Sequence, residues 1–358
     1  MNILIVKPSS LGDIIHTLPM VPLIRRNFPD AAISWVVNEE YARLLDLCPE
    51  VDNVIIFRRR RWSKMRCWPE LIGFAKDLKR LQIDLALDFQ GLFRSGLITR
   101  LSGSPRRVGF RNAREGAIYF YNERILLPAN LRHAVERNLF LLQTALHIAD
   151  PIGNSGLAVS RIDMCNCEKL FRACEVNPHA PFLGLAPAAR WESKAWPPDF
   201  FAAVVEKVHE SLPELPVILL GSASERPIGE IICSHCRSPG KIVNLMGETE
   251  LGTLVEILRH SKTIMTNDSG PMHLAAMLGT PVVAMFGPTD PSLTGPYGHI
   301  HRVFAGACDR APCLENNCPK GTNACHYTIS RDQVAEAVLQ NLQTDTNPVA
   351  PNNSSKQE

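Results

Sequence analysis

Short apolar runs alternate with helical patterns along this chain. The alternation stops once, at a linker, and then restarts, which restricts the available folds more than any other feature. Ile3–Lys7 reads as a buried strand, followed by a Ser/Gly loop and a helix beginning near Asp13. Ile33–Val37, Val54–Phe57 and Ile83–Asp88 are further strand candidates, with helices expected over Pro69–Leu81 and His133–His147. Asp150–Ser160 (DPIGNSGLAVS) is dense in Gly, Pro and Ser and reads as a linker. Beyond it, strands are expected at Phe182–Ala186, Pro216–Leu220, Thr263–Thr266 and Pro281–Phe286, and helices at Pro197–Glu210, Leu251–His260 and Pro271–Leu278. Strands separated by helices imply parallel βαβ units, and two such series imply an α/β chain of two Rossmann-like domains facing a cleft. The boundaries expected are 1–155, 156–343 and a disordered tail, 344–358, with almost no apolar content.

Composition excludes several classes. No run approaches eighteen apolar residues, so no transmembrane segment is expected. The first ten residues lack the basic, long apolar and small-residue regions of a signal peptide, so a cytoplasmic location is expected. The net charge of +2 hides an asymmetry. Residues 1–150 hold 22 Lys and Arg against 15 Asp and Glu, whereas the remainder holds 16 against 21. A basic half beside an acidic half points to an anionic partner for the first domain. There is no G-x-G-x-x-G after a strand and no G-x-x-x-x-G-K-[ST], which argues against a nicotinamide dehydrogenase and a P-loop enzyme.

The sharpest local feature is Asn267–His273 (NDSGPMH), between a strand and a helix with Pro271 in its first turn. Asp268 or Ser269 would cap the helix, and Gly270 would leave backbone amides open to a diphosphate. An ordinary helix cap fits the same residues. Lys7–Pro19 (KPSSLGDIIHTLP) offers Asp13 at another helix start, where it reads as an N-cap. Arg58–Arg66 (RRRRWSKMR) is the densest basic run, but no helix-turn-helix or aromatic-interleaved platform accompanies it, so no nucleic-acid partner is expected. Cys308, Cys313, Cys318 and Cys325 follow C-x4-C-x4-C-x6-C, which lacks the paired C-x2-C units of a zinc ribbon and reads as reduced thiols, with a bound metal as the alternative.

Asn267–Gly298 (NDSGPMHLAAMLGTPVVAMFGPTDPSLTGPYG) resembles the signature block of family 9 glycosyltransferases, and Lys7–Pro19 is similar to the first strand–loop–helix of its heptosyltransferases. The resemblance implies a GT-B fold and inverting transfer of heptose from ADP-L-glycero-D-manno-heptose to Kdo of the lipopolysaccharide inner core. It implies Asp13 as catalytic base, with Ser9, Ser10 and Gly12 on the acceptor side. Asp268, Ser269, Gly270 and His273 match positions at the donor diphosphate. In Ala186–Trp196 (APAARWESKAW), Lys194 matches the phosphate-neutralising lysine and Arg190 stands nearby; Ala188 and Ala189 replace the usual hydroxyl residues. Arg60, Arg61 and Lys64, with Arg111, Arg114 and His133 from FRNAREG and HAVER, resemble the acceptor side of the first-heptose type. ADP-heptose would be a substrate, no metal or other cofactor is expected, and a Kdo-lipid A acceptor would bring the enzyme to the cytoplasmic face of the inner membrane. The rivals are a family 9 transferase for another core sugar, a sugar-nucleotide 2-epimerase, and a non-catalytic nucleotide-sugar-binding protein.

Overall fold

The computed structural model describes residues 1–58, 61, 68–153, 155–177 and 180–344. It divides into two compact units, Met1–Ala158 and Val159–Glu358. The tail expected to be disordered falls, from residue 345 onward, outside the described residues.

Each unit is built on a six-stranded sheet in which every pairing is parallel. In the first, β1 (Asn2–Val6), β2 (Ala32–Asn38), β3 (Asn53–Phe57), β4 (Leu85–Asp88), β5 (Arg106–Phe110) and β6 (Glu123–Ile125) lie in the order β3-β2-β1-β4-β5-β6. In the second, β7 (Leu183–Ala186), β8 (Val217–Leu219), β9 (Ile242–Asn244), β10 (Thr263–Asn267), β11 (Val282–Phe286) and β12 (Arg302–Ala305) lie in the order β12-β11-β10-β7-β8-β9. Counted from its own first strand, each sheet therefore has one topology, the doubly wound dinucleotide-binding order. The winding reverses beside the first strand, between β1 and β4 and between β7 and β10. Ligands of open parallel sheets bind at the carboxyl ends of the strands flanking that reversal.

The central strands are buried and largely apolar because helices cover both faces. Ile3 to Val6 of β1 and Val282 to Phe286 of β11 are fully buried. Around β1, Leu4 and Val6 pack with Val36, Ala86 and the helical residues Phe74 and Leu78. In the second unit, Phe201, Val205 and Val208 of the helix Pro198–Ser211 meet Leu183, Leu185, Val217 and Leu219. Truncating one such phenylalanine to alanine costs about 3–5 kcal/mol. The anticipated strands and helices all form, with ends moved by a residue or two. The first helix, expected near Asp13, starts two residues earlier, at Leu11.

Candidate functional site

In the N-terminal unit, the loop leaving β1 is braced from three sides at the sheet's reversal point. Trp35 of β2 donates its indole N–H to Lys7 O at 3.2 Å. Asn38 N donates to Pro8 O at 3.0 Å. Gln90, in the loop after β4, accepts from Ser9 N at 3.3 Å. The Lys7 side chain, 7% exposed, donates to Phe89 O at 2.9 Å.

This bracing carries Asp13. Ser10, not Asp13, is the N-cap of the helix Leu11–Ile15, and the Asp13 carboxylate reaches back to the Ser10 amide as the third helical residue of a capping box. Asp13 sits in the first turn, and its Oδ2 accepts from Ser10 N at 3.1 Å and Ser10 Oγ at 2.7 Å. Its Oδ1 lies 3.5 Å from Lys7 Nζ, and 39% of its side chain is exposed. Burial pushes its pKa up, but Lys7, the two Ser10 hydrogen bonds and His16 outweigh burial and hold it down at about 2. The outcome is an ionised carboxylate with a fixed orientation and an accessible edge.

His133 belongs to the same neighbourhood. It is the N-cap of the helix Ala134–Leu146, where its Nδ1 accepts from Val135 N at 3.2 Å. Its ring meets that of His16 edge-on at 5.4 Å. Asn138, on the same helix, donates to His16 O at 3.3 Å and Thr17 Oγ1 at 3.0 Å, tying it to the Asp13 segment. Arg111 and Arg114 are exposed in the loop after β5, and Arg114 N donates to Gly91 O at 2.9 Å. Arg137 of HAVER, which sequence reasoning passed over, lies over the Phe110 ring at 5.4 Å. Burial and the charge of Arg114 lower its pKa, so two guanidiniums crowd one another here, an arrangement suited to an anion. Arg61 is exposed and pairs with Glu70 at 2.6 Å. Arg60 and Lys64 lie outside the described residues.

The loop after β4 owes its shape to a buried carboxylate. Asp88 has no exposed surface; its Oδ1 accepts from Gln90 N at 2.8 Å and Gly91 N at 3.0 Å, and its Oδ2 from Tyr121 Oη at 2.6 Å. Burial pushes its pKa up, against those hydrogen bonds. Gly109 is glycine because a Cβ there would come within 2.4 Å of the Tyr121 ring.

The C-terminal unit repeats the arrangement with different chemistry. Asn267, fully buried at the end of β10, joins the two loops at the reversal point: its Oδ1 accepts from Trp196 N at 3.1 Å and its Nδ2 donates to Pro187 O at 2.6 Å. Ser269 is the N-cap of the helix Gly270–Met277, so the amides of that first turn face out from the sheet's carboxyl edge. Asp268 does not cap. Its buried carboxylate holds Lys194 Nζ at 2.7 Å and accepts from Thr289 Oγ1 at 2.7 Å, with His273 Nε2 at 3.8 Å. Thr289 gives the GPTDP loop a stated task, bracing Asp268.

Lys194 Nζ also sits 4.3 Å from the centre of the Trp191 ring. An ammonium has three protons, so one carboxylate contact leaves capacity for phosphate oxygens. Arg190 is exposed in the same loop. The turn before Lys194 is clamped by the cysteine-rich segment. Ser193 N donates to Asn316 O at 3.2 Å, Ser193 Oγ to Glu315 O at 2.6 Å, and His326 Nε2 lies 2.6 Å from Ser193 O. His326 is fully buried and its carbonyl accepts from Trp196 Nε1 at 3.1 Å. Burial lowers its pKa, which keeps it neutral and able to donate one N–H to Ser193. Gly287 lies against it; a Cβ there would fall 2.5 Å from His326 Nε2.

Cys308, Cys313, Cys318 and Cys325 line one cavity of this segment as free thiols. Among the described residues no group of three or more His, Cys, Asp or Glu is placed to hold a metal ion. Among the described residues, too, no helix is long and apolar enough to cross a membrane.

Comparison with known proteins bears on this pair of sites. The sequence model of glycosyltransferase family 9 (heptosyltransferase) matches residues 72–323. Lipopolysaccharide heptosyltransferase 1 of Pseudomonas aeruginosa is 31% identical over 329 residues, covering 89% of this chain and 87% of its own. Among solved structures, the Escherichia coli heptosyltransferase WaaC with ADP superposes with a TM-score of 0.76 at 26% identity, covering 95% of this chain and all of its own. The Escherichia coli ADP-heptose lipopolysaccharide heptosyltransferase II superposes with a TM-score of 0.75 at 25% identity, covering 96% and 98%.

Proposed function

Because the chain belongs to glycosyltransferase family 9, with the GT-B fold of its solved relatives, we propose that it is the transferase that adds the first heptose of the lipopolysaccharide inner core. The donor is ADP-L-glycero-D-manno-heptose and the acceptor a Kdo residue on lipid A, met at the cytoplasmic face of the inner membrane. The single observation that carries this reading is the chemical contrast between two sites built on one topology. One reversal point holds a braced, ionised Asp13. The other holds a lysine and a helix N-terminus.

Asp13 takes the proton of the acceptor hydroxyl as that oxygen bonds to the heptose anomeric carbon. The bond from that carbon to the ADP oxygen breaks, and its electron pair leaves with ADP. Lys194 and the amides of the Ser269–Gly270 turn stabilise the charge that builds on the departing diphosphate. Attack opposite the leaving group inverts the anomeric centre. Asp13 is a weak base, so its proton transfer belongs late, after bond formation has acidified the hydroxyl. His133, Arg111 and Arg114, with Arg60, Arg61 and Lys64 of the basic run, meet carboxylates and phosphates of the acceptor.

The test is mass spectrometry of products from ADP-heptose offered to truncated acceptors ending either in Kdo or in one heptose. Addition to the Kdo terminus is expected. Addition to the heptose terminus alone would move the enzyme to the second-heptose step. Release of heptose as an epimerised nucleotide sugar, without transfer, would remove the proposal.

A further inference from the structure

The cysteine-rich segment holds chemistry that the transfer reaction does not use. Cys308, Cys313, Cys318 and Cys325 line, with Ser193, a cavity of about 80 Å³, each as a free thiol. Cys325 is buried, and burial, then the charge of Cys308, pushes its pKa up, which keeps that thiol protonated and unreactive. Cys318 is different. It is half-buried and opens a tight turn in which Gly321 N donates to Cys318 O at 2.9 Å. Gly321 and Asn323 take φ values of 66° and 46°, a path that turns successive backbone amides toward one point. The amides of Lys320 and Asn323 lower the pKa of the Cys318 thiol, which raises its thiolate fraction.

Cys313 and Cys318 also bracket the clamp on the donor-side lysine. Between them lie Glu315, whose carbonyl accepts from Ser193 Oγ at 2.6 Å, and Asn316, whose carbonyl accepts from Ser193 N at 3.2 Å. Leu314 N donates to Pro288 O at 2.8 Å, so the same short loop rests on the GPTDP loop as well. Residues 314–317 are all exposed, so a small oxidant meets the two flanking thiols from solvent.

We propose that Cys313 and Cys318 form a thiol-oxidation site, at which a peroxide closes a disulfide across the loop that holds Ser193 and so loosens the grip on the donor diphosphate. The Cys318 thiolate attacks one peroxide oxygen; the O–O bond breaks, hydroxide leaves, and a sulfenic acid remains. The Cys313 sulfur then attacks that sulfur. The S–S bond forms, the S–O bond breaks, and the departing hydroxide takes up the thiol proton as water. In balance, two thiols give two electrons to one peroxide, which becomes two waters. The new bond brings the two sulfurs to about 2 Å, so the loop between them must contract and carry the Glu315 and Asn316 carbonyls away from Ser193. Lys194, the next residue, loses its fixed position. The effect on the donor rests on the proposed function, in which Lys194 meets the diphosphate; formation of the disulfide does not.

The experiment treats the reduced full chain with equimolar hydrogen peroxide and maps its tryptic peptides by mass spectrometry. Residues 311–320 form one such peptide, between Arg310 and Gly321, so the disulfide shows as that peptide lighter by two hydrogens. Oxidised enzyme should bind ADP about tenfold more weakly by calorimetric titration, with a matching rise in donor KM and an unchanged acceptor KM. Dithiothreitol should reverse all of these changes. Cys313→Ser should bind ADP as the reduced wild type does and ignore peroxide, whereas Cys308→Ser should respond as the wild type does. Absence of the mass loss overturns the proposal, as does a disulfide that leaves ADP affinity unchanged or a full response in Cys313→Ser. So does one zinc or iron per purified chain that shields the four thiols until chelated, since the segment would then be a metal site. If the reduced enzyme transfers no heptose while its ADP binding still responds to peroxide, the functional reading falls and the oxidation site stands.

Discussion

Asp13 is held ionised by the groups that orient it, and the two effects can be measured separately. Lys7 and the two Ser10 donors keep its pKa at about 2, below the ordinary carboxylate range. Since the folded value lies below the unfolded one, the stability Asp13 contributes is complete above about pH 4 and is lost as pH falls toward the folded value. The same shift means that Asp13 adds no acid limb to kcat/KM between about pH 5 and pH 8. A pH–rate profile checks this; a limb near pH 6 would assign the proton to another base, with His133 beside His16 the first to examine. Asp13→Asn keeps an acceptor for Ser10 and nearly the same volume. Turnover should fall by about 10²–10⁴, with ADP affinity and melting temperature close to wild type. Turnover near that of wild type would exclude Asp13 as the base.

The strand–loop–helix elements that carry both sites were legible because their punctuation is strong. β1 is a nearly continuous apolar run and β10 (TIMTN) a fully buried one, and each is followed by Ser, Gly and Pro, which stop a strand and start a helix. The outer strands β5, β6, β9 and β12 were not legible. RRVGF opens on two arginines, and ERI, IVN and RVFA are partly exposed edge strands of three or four residues, too short to show a clean alternation. What joins loops distant in sequence was equally hidden. Nothing in APAARWESKAW shows that Lys194 meets Asp268, or that Ser193 is gripped by Glu315, Asn316 and His326. The cysteine segment, read from spacing alone as a question of metal or thiol, acts at the element level as a clamp on the Lys194 turn. Ser193→Ala removes the Oγ hydrogen bond to Glu315 and leaves the backbone ones. At about 0.5–1.5 kcal/mol for one hydrogen bond, donor KM should rise roughly twofold to tenfold while acceptor KM holds. Steady-state kinetics with each substrate varied in turn would check it, and an equal rise in both would mean a general loss of structure. Lys194→Ala should lose donor affinity and rate together.

For the whole molecule, the proposed division of labour gives the excess positive charge of residues 1–150 to the acceptor, and the run Arg58–Arg66 concentrates that charge. Its described members already have partners: Arg58 Nε lies 3.6 Å from Glu39, and Arg61 is 2.6 Å from Glu70. Exposed pairs of this kind are worth about 0–1 kcal/mol, so acceptor phosphates can displace the carboxylates at little cost. The acceptor KM should therefore rise with salt, because screening acts within about 8–10 Å at ordinary ionic strength. In the proposed mechanism Lys194 and the first turn of Gly270–Met277 supply the positive charge at the donor, so turnover should persist in EDTA; loss on chelation with recovery on Mg²⁺ would place a metal in the reaction. The decisive variant is Arg60→Glu, Arg61→Glu, assayed with a phosphorylated acceptor and its dephosphorylated analogue. If the run grips phosphate, acceptor KM for the phosphorylated form should climb while donor KM holds. Removing one desolvated, charge-assisted hydrogen bond to phosphate would cost about 1.5–3 kcal/mol, and removing an exposed one much less. The penalty should nearly vanish for the analogue, which has no phosphate to grip. Equal penalties on both acceptors would indicate damage to the fold rather than to recognition. No penalty on either would make the run a solvated surface whose charges are content with Glu39 and Glu70.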